Sequence, residues 1–140
     1  GSVTWHGPGQ WLGYVIMDLH ERGWTLHDYL RQLEQVWINC LREYGIEAER
    51  IPSRTGVWVG QEKIISIGIG VRRWVTYHGF SINVNSDMEA FERIYPCGLE
   101  GVRMTSLKRL GVENVLSLKV AFEKHWREFL SPLRPEIVKD

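Results

Sequence analysis

Residues 56–84, GVWVGQEKIISIGIGVRRWVTYHGFSINV, have the composition of consecutive β-strands. Isoleucine, valine and aromatic side chains, which pack well on a pleated sheet, are concentrated in residues 56–59, 63–72 and 74–84. The Gly-Gln-Glu connector at residues 60–62 is typical of a hairpin turn. This part of the chain therefore predicts several adjacent strands.

A helix is predicted on each side of these strands. Residues 25–44 begin with Thr25, which can cap a helix together with Asp28, and they are followed by Gly45, a common helix terminator. Residues 113–130 place apolar side chains on one helix face and are followed by prolines. A helix, adjacent strands and a second helix in this order are typical of an α+β domain with helices packed on one side of a sheet.

The remaining segments have weaker patterns. Residues 1–10 are rich in glycine and are predicted as a loop entered from a strand. Residues 11–19 are almost wholly apolar, which predicts a buried strand. Residues 85–94 are predicted as a short helix or turn, and residues 95–101 as a loop.

Composition excludes several classes of protein. The chain has 140 residues, enough for one domain with a substantial core. Lys plus Arg and Asp plus Glu both number 17, so the net charge is zero and a strongly basic nucleic-acid binder is not expected. No apolar run approaches the ~18 residues of a membrane helix, and no basic-then-apolar leader opens the chain. Two cysteines are too few for a disulfide scaffold.

Two residues are candidates for chemistry. Cys97 lies in a Pro-Cys-Gly loop, where it is either a small buried hydrophobe or a nucleophile. Lys63 opens an apolar strand, where it is either a solvated strand end or a buried group with a functional charge. Cys40, by contrast, lies on the apolar stripe of the first predicted helix and is expected to be structural.

Histidines and surface cations offer weaker signals. His6 and His78 are each followed by glycine, but no nearby second ligand has zinc spacing, so we expect no metal site. A basic cluster either is solvated surface or docks an acidic protein partner. Its members are Arg72, Arg73, Arg103, Lys108 and Arg109.

Several short motifs, taken together, resemble the lipoyl(octanoyl) transferase family, also called lipoate-protein ligase B. They are Val-Thr-Trp-His-Gly-Pro-Gly-Gln at 3–10 with Gly-Tyr at 13–14, Gly-Val-Trp-Val at 56–59, Lys-Ile at 63–64, Ile-Gly at 67–68, Val-Thr-Tyr-His-Gly-Phe at 75–80, Asn-Val at 83–84, Pro-Cys-Gly-Leu at 96–99 and Thr-Ser-Leu at 105–107. The family has Arg-Gly and a further segment ahead of the position of Gly1, which are absent here. Trp5 stands where the family more often has Tyr.

The resemblance implies transfer of an octanoyl group from acyl carrier protein to a lysine of a lipoyl domain, in lipoate biosynthesis. Cys97 matches the family's acyl-thioester nucleophile and Lys63 the lysine that activates it, with His78 in a supporting place. The fold it implies is a mixed β-sheet flanked by helices, shared with lipoate and biotin ligases, and residues 1–140 would form one catalytic domain. The acyl-binding positions it implies are Gly1, Ser2, Val3, Thr4, Trp5, His6, Ser66, Ile67, Gly68, Gly79, Phe80 and Ser81.

The resemblance also implies partners. The donor is octanoyl-acyl carrier protein, and the acceptors are lipoyl domains of 2-oxoacid dehydrogenases and the glycine cleavage H protein. No cofactor, nucleic acid or membrane is expected, and the location implied is the cytoplasm, or a mitochondrion or plastid in a eukaryote. We expect the strand residues Ile65, Ile67 and Ile69 to form a wall for the eight-carbon chain.

Three other interpretations remain open. An ATP-dependent lipoate or biotin ligase on the same fold would carry the acyl group on an adenylate and would not need Cys97. A truncated, non-catalytic scaffold of this fold would carry no acyl group at all. A cysteine protease that pairs Cys97 with His78 matches no protease motif.

Overall fold

A computed structural model of the chain describes residues 2–6, 10–84 and 103–130. These residues form seven strands and three helices. The strands are β1 (Ser2–His6), β2 (Gln10–Ile16), β3 (Glu49–Ile51), β4 (Arg54–Val59), β5 (Glu62–Arg72), β6 (Val75–Asn83) and β7 (Arg103–Met104). The helices are α1 (Leu19–Arg22), α2 (Leu26–Arg42) and α3 (Val115–Leu130).

All seven strands belong to one sheet. Six of them are ordered β1-β2-β6-β5-β4-β3, and each pairs antiparallel with its neighbours. The short β7 pairs parallel with the start of β5, so the sheet is mixed. The predicted turn at residues 60–62 is confirmed, because Val59 pairs with Glu62 across two intervening residues.

Helices α2 and α3 pack against each other and share a core with one face of the sheet. Inward-facing strand residues such as Val15, Val57 and Ile82 are buried in the same cluster as the apolar stripes of both helices. On the opposite face of the sheet, the described residues form a small cluster to which no helix contributes. We call this face the open face. Both long helices are therefore confirmed, and so is their packing on one side of a sheet.

The caps of α2 follow from its sequence. Thr25 accepts a hydrogen bond from the Asp28 N–H (3.1 Å), and the Asp28 carboxylate accepts one from the Thr25 N–H (3.0 Å). The bond from the Thr25 N–H, together with the Thr25 side chain, lowers the pKa of the Asp28 carboxyl group. At the other end Gly45 has φ +75°, and the Ile46 N–H donates back to Leu41 (3.1 Å), which satisfies the last carbonyls of the helix.

The first twenty residues depart from the prediction. Residues 2–6 form strand β1, paired with β2, where a loop was expected. The apolar run at 11–19 is not a buried strand throughout: Val15 is fully buried, whereas Tyr14 is 39% and Ile16 50% exposed. The reason is that β2 has the helices on one face only, so its apolar side chains alternate between core and open face.

Short elements carried no sequence signal. Strands β3 and β7 and helix α1 have two to four residues each and were not predicted. The short helix expected at 85–94 and the loop at 95–101 lie outside the described residues. Within the part of the chain that the structure describes, no helix has the length and apolar character needed to span a membrane.

Candidate active site

A groove of about 280 Å³ runs over the open face of the sheet. It crosses the central strand β6 and its two neighbours, β5 and β2. Its lining consists of Leu12, Tyr14, Ser66, Ile67, Gly68, Gly79, Phe80 and Ser81. An apolar-lined groove with a few hydroxyl groups is the usual form of a small-molecule site.

Paired glycines form the floor of this groove. Gly68 on β5 lies directly opposite Gly79 on β6. A Cβ atom on Gly68 would meet nothing within 4 Å, which means that the space above it is open. A Cβ atom on Gly79 would lie 1.8 Å from the Gly13 carbonyl oxygen, so only glycine allows β2 to approach β6 this closely.

A β-bulge places Lys63 on the open face. Val57 pairs with Ile65 and Trp58 with Lys63, so Ile64 is an extra residue in β5. Ile64 and Ile65 are both buried in the core that faces the helices. Strict alternation would have put Lys63 on that same side, whereas the extra residue reverses the alternation and turns Lys63 to the other face.

Lys63 is buried, with 6% of its surface exposed. Its side chain runs across β4, because a Cβ atom on Gly56 would lie 2.5 Å from Lys63 Cε and 3.3 Å from Nζ. Its ammonium lies 5.5 Å from the ring centre of Trp58, a distance at which the ring attracts a cation. The interpretation of Lys63 as a solvated strand end is therefore wrong, since β4 and Trp58 cover it.

A buried carboxylate holds the strand beneath Lys63. Glu34 on α2 is 2% exposed and accepts a hydrogen bond from the Gly56 N–H (2.9 Å). Its other oxygen lies 3.3 Å from Arg50 Nε and 3.5 Å from Arg31 Nη1. The charge of Glu34 is thus compensated, and the pairing ties α2 to the edge of the sheet.

The chain after residue 102 returns to Lys63. Met104, seven residues after Cys97 in the sequence, is paired with Lys63, and the Thr105 N–H donates to the Lys63 carbonyl (2.9 Å). Asn83 donates to the Thr105 carbonyl (3.2 Å). The Thr105 hydroxyl is fully buried and has no hydrogen-bond partner among the described residues. It is available to a partner from elsewhere in the site.

The structure brings many of the predicted site residues together. Residues 66–68 and 79–81 all line the groove. Residues 2–6 form β1, whose Thr4 and His6 pair with the groove residues Tyr14 and Leu12. His78, in β6, pairs with Ile69 in β5. Gly1 and Cys97 lie outside the described residues.

The expected wall of the groove is wrong. Ile65 is buried in the core, and Ile67 and Ile69 alternate onto the same helix-facing side of β5 and pack against that core. Ile67 borders the groove from β5, but the three isoleucines do not form its wall. The groove walls on β2 are instead Leu12 and Tyr14, which alternation along β2 could have identified.

The basic residues do not form one cluster. Arg72 and Arg73 lie at the hairpin that ends β5, whereas Arg103 pairs with Glu62 at its start. Ten residue-to-residue steps separate Glu62 from Arg72, which correspond to roughly 33 Å along a strand. Arg109 is also at the start, with its guanidinium 3.5 Å from Glu62.

Cys40 is structural, as expected. It is fully buried, and burial together with the nearby Glu43 carboxylate raises its pKa to about 12. A thiol of this kind is hardly ionised at neutral pH and is a poor nucleophile. Among the described residues, no group of three or more His, Cys, Asp or Glu is arranged to hold a metal ion.

Comparison with known proteins gives a consistent result. The model of the lipoyl protein ligase A/B catalytic domain matches residues 1–126. An octanoyltransferase from Geobacter sulfurreducens is 53% identical over 109 residues, which cover 78% of this chain and 46% of that protein. One from Geotalea uraniireducens is 47% identical over 96% of this chain and 65% of that protein. The chain thus spans about half the length of the curated relatives it matches.

Solved structures show the same architecture. A lipoate-protein ligase A bound with ATP matches with a TM-score of 0.69 and 15% identity, covering 87% of this chain and 52% of that chain. A biotin protein ligase from Aquifex aeolicus matches with a TM-score of 0.61 and 16% identity, covering 86% of this chain and 54% of that chain. The predicted fold, a mixed sheet flanked by helices, is confirmed.

Proposed function

The chain belongs to the lipoyl protein ligase A/B catalytic domain family, and we propose that it is the catalytic domain of an octanoyltransferase. In this proposal it moves an octanoyl group from acyl carrier protein to a lysine of a lipoyl domain. Cys97 carries the group as a thioester, and Lys63 serves as its charged neighbour. Residues 1–140 act as one domain.

The observation that carries this proposal is a buried lysine beside an apolar groove on the same face of the sheet. Lys63 is three residues from Ser66, the first groove residue on β5. Removing an ammonium from water is costly, and an apolar side chain at position 63 would pack against β4 equally well. The burial of a lysine here therefore favours a role for its charge. The relatives named octanoyltransferase, at about 50% identity, support the same activity.

The first half-reaction forms the acyl-enzyme. The Cys97 thiolate attacks the carbonyl carbon of the donor thioester, and the bond to the carrier's sulfur breaks. The departing sulfur takes a proton from the Lys63 ammonium, which leaves Lys63 as a neutral amine. Until then the ammonium stabilises the Cys97 thiolate by its charge.

The second half-reaction forms the amide. Neutral Lys63 accepts a proton from the ammonium of the acceptor lysine. The neutral amine formed in this way then attacks the carbonyl carbon of the Cys97 thioester. The carbon–sulfur bond breaks, Cys97 leaves as a thiolate, and one proton passes to solvent. A free lysine with a pKa near 10.4 is neutral only about once in 2,500 at pH 7, so this proton transfer is needed.

Binding and transition-state stabilisation come from other groups. Each methylene removed from water in the groove tightens binding by ~0.8 kcal/mol. The tetrahedral oxygen requires N–H donors, which we assign to the backbone at residues 97–98 with a second donor from the Gly79 region. Positioning and these donors supply the larger part of the rate, because stabilising the thiolate alone gains only a few-fold.

Intact-mass measurement tests the proposal. The purified chain is incubated with octanoyl-acyl carrier protein, and we expect a gain of one octanoyl group that is absent in Cys97→Ala and present in Cys40→Ala. Addition of a lipoyl domain should then remove the group from the enzyme and place it on the acceptor. No mass gain at any pH between 6 and 9 would contradict the proposal and favour a non-catalytic scaffold.

The ATP-dependent ligase is the alternative outcome. Its adenylate route would give octanoylated lipoyl domain from free octanoate and ATP, and the Cys97→Ala variant would remain active. Octanoate with ATP is therefore run beside the carrier-protein donor, with wild type and Cys97→Ala in both arms. Product only from the carrier-bound donor, and only with Cys97 present, is the result we expect.

A further inference from the structure

The open face changes character beyond the groove. Along β5 and β6 the residue pairs on this face follow in the order Ser66–Ser81, Gly68–Gly79 and Gly70–Tyr77. The first two pairs line the groove, and the third does not. The groove therefore ends where Tyr77 begins.

The Tyr77 ring crosses from β6 to β5 at this point. A Cβ atom on Gly70 would lie 2.2 Å from the ring's Cζ, 2.5 Å from its Oη and 2.6 Å from its Cε2. The outer half of the ring thus rests on Gly70, on the neighbouring strand. Any residue larger than glycine at position 70 would push the ring away, so these two residues together form a bar across the trough.

A different surface lies on the far side of this bar. Tyr77 also lines a second depression with Arg72, Arg73, Val75 and Thr76. The two arginines are exposed, and Tyr77 itself is 44% exposed. A methylene chain that passed the ring would leave an apolar floor and meet guanidinium groups and water, where it would gain little.

The length of the trough fits a medium-length chain. Ser66 and Gly70 are four residue-to-residue steps apart on β5, a distance of about 13 Å along the strand. A fully staggered eight-carbon acyl chain is about 10 Å long and a twelve-carbon chain about 15 Å. The shorter chain ends before the ring, and the longer one collides with it.

We infer that Tyr77, lying on Gly70, is the residue that limits the acyl chain to about eight carbons. The inference rests on the proposed function, since it assumes that the groove takes the acyl chain with its carbonyl at the Lys63 end. It assigns Tyr77 a role in chain-length specificity, outside the acyl-transfer chemistry.

Binding of free fatty acids tests this directly. Calorimetric titration of the purified chain with hexanoate, octanoate, decanoate and dodecanoate should show about fourfold tighter binding per methylene up to octanoate and no gain beyond it. In Tyr77→Val the gain should continue, with decanoate about 15-fold tighter than octanoate. Tyr77→Phe, which keeps the ring, should behave as wild type.

A control variant and a second test variant separate a specific effect on chain length from a general loss of folding. Trp74→Asn removes an exposed aromatic ring from the same hairpin, keeps a residue that tolerates the positive φ of this position, and should leave the length profile unchanged. If Tyr77→Val does not fold, judged by circular dichroism, Gly70→Ala provides the test, because its Cβ would displace the Tyr77 ring and the gain in binding should then continue beyond octanoate. Equal length profiles for wild type and the tested variant would overturn the inference.

The two proposals fail in different assays. If the wild type transfers no octanoyl group but binds fatty acids with a length limit that Tyr77→Val removes, the acyltransferase is refuted and the role of Tyr77 stands. Octanoyl transfer from the carrier protein with the same preference for octanoyl over dodecanoyl in wild type and Tyr77→Val would do the reverse.

Discussion

Replacing Gly56 by alanine should destabilise the chain more than the same change at any glycine with open space around it. Gly56 has φ +136°, a conformation that costs an L-residue about 1–3 kcal/mol. The new Cβ would also lie 2.5 Å from Lys63 Cε and 2.8 Å from the Ile65 carbonyl oxygen, and such overpacking costs about 1–3 kcal/mol. We expect the free energy of unfolding to fall by about 4 kcal/mol.

Gly60 is the matched control. It also has positive φ, +62°, but nothing lies within 4 Å of its missing Cβ. Gly60→Ala should therefore cost about 1–2 kcal/mol, from backbone strain alone. For a chain of this size the two losses correspond to falls in melting temperature of about 14 °C and about 5 °C.

The assay is urea unfolding followed by circular dichroism, with a double-mutant cycle between Gly56→Ala and Lys63→Ala. Truncation of Lys63 removes one of the two contacts made by the new Cβ, so we expect a coupling of about 1–2 kcal/mol between the two changes. The contact with the Ile65 carbonyl remains, and rescue should be partial. Equal losses at Gly56 and Gly60, or a coupling near zero, would refute the placement of Lys63 over β4.

Three further predictions concern the groove, the helix cap and the second thiol. Gly79→Ala should cost about 3 kcal/mol because its Cβ would lie 1.8 Å from the Gly13 carbonyl oxygen, whereas Gly68→Ala opposite it should change stability by less than about 1 kcal/mol; the same urea assay compares them. Thr25→Ala removes the cap of α2 and should cost about 1 kcal/mol, again by urea unfolding. Cys40, with its pKa near 12, should resist iodoacetamide at pH 8 in the native chain and react only after unfolding, and a native adduct on its peptide would contradict this.

Periodicity and local capping predicted the parts of the fold that depend on neighbouring residues. Helix α2 was predicted from Thr25, Asp28 and Gly45, and each does what its type suggests: two form the capping box and the third takes positive φ. The strand run at 63–72 was predicted from its β-branched residues and is found as β5. These signals are local, so the sequence contains all of the information they need.

Elements that depend on distant partners could not be predicted in the same way. Strand β7 has two residues and pairs with Glu62 and Lys63 at the start of β5, ahead of the point where the pairing of β5 with β6 begins. The exposed half of β2 was misjudged because apolar residues occur on both of its faces. Tyr14 lines the groove and Ile16 is exposed on the same face, and an apolar stretch that faces outward has the same composition as a core strand.

Lys63 shows most clearly why strict alternation misplaces a buried charged side chain. By strict alternation it shares a face with Ile65 and would point into the helix-facing core. Burying an ammonium group among those apolar side chains would be costly. The extra residue Ile64 reverses that phase, and a bulge of this kind depends on the register of β4 against β5.

The same bulge explains two neighbouring residues whose types have no local reason. Gly56 must lack a side chain because Lys63, once turned to the open face, lies across it. Gly56 has no register partner in β5. Its N–H donates instead to the buried carboxylate of Glu34 on α2, which fixes this segment of β4. The bulge at Ile64, the glycine at position 56 and the carboxylate of Glu34 together determine where the Lys63 ammonium lies. We expect a substitution at any of these three residues to displace the ammonium, although none of them needs to contact an acyl group.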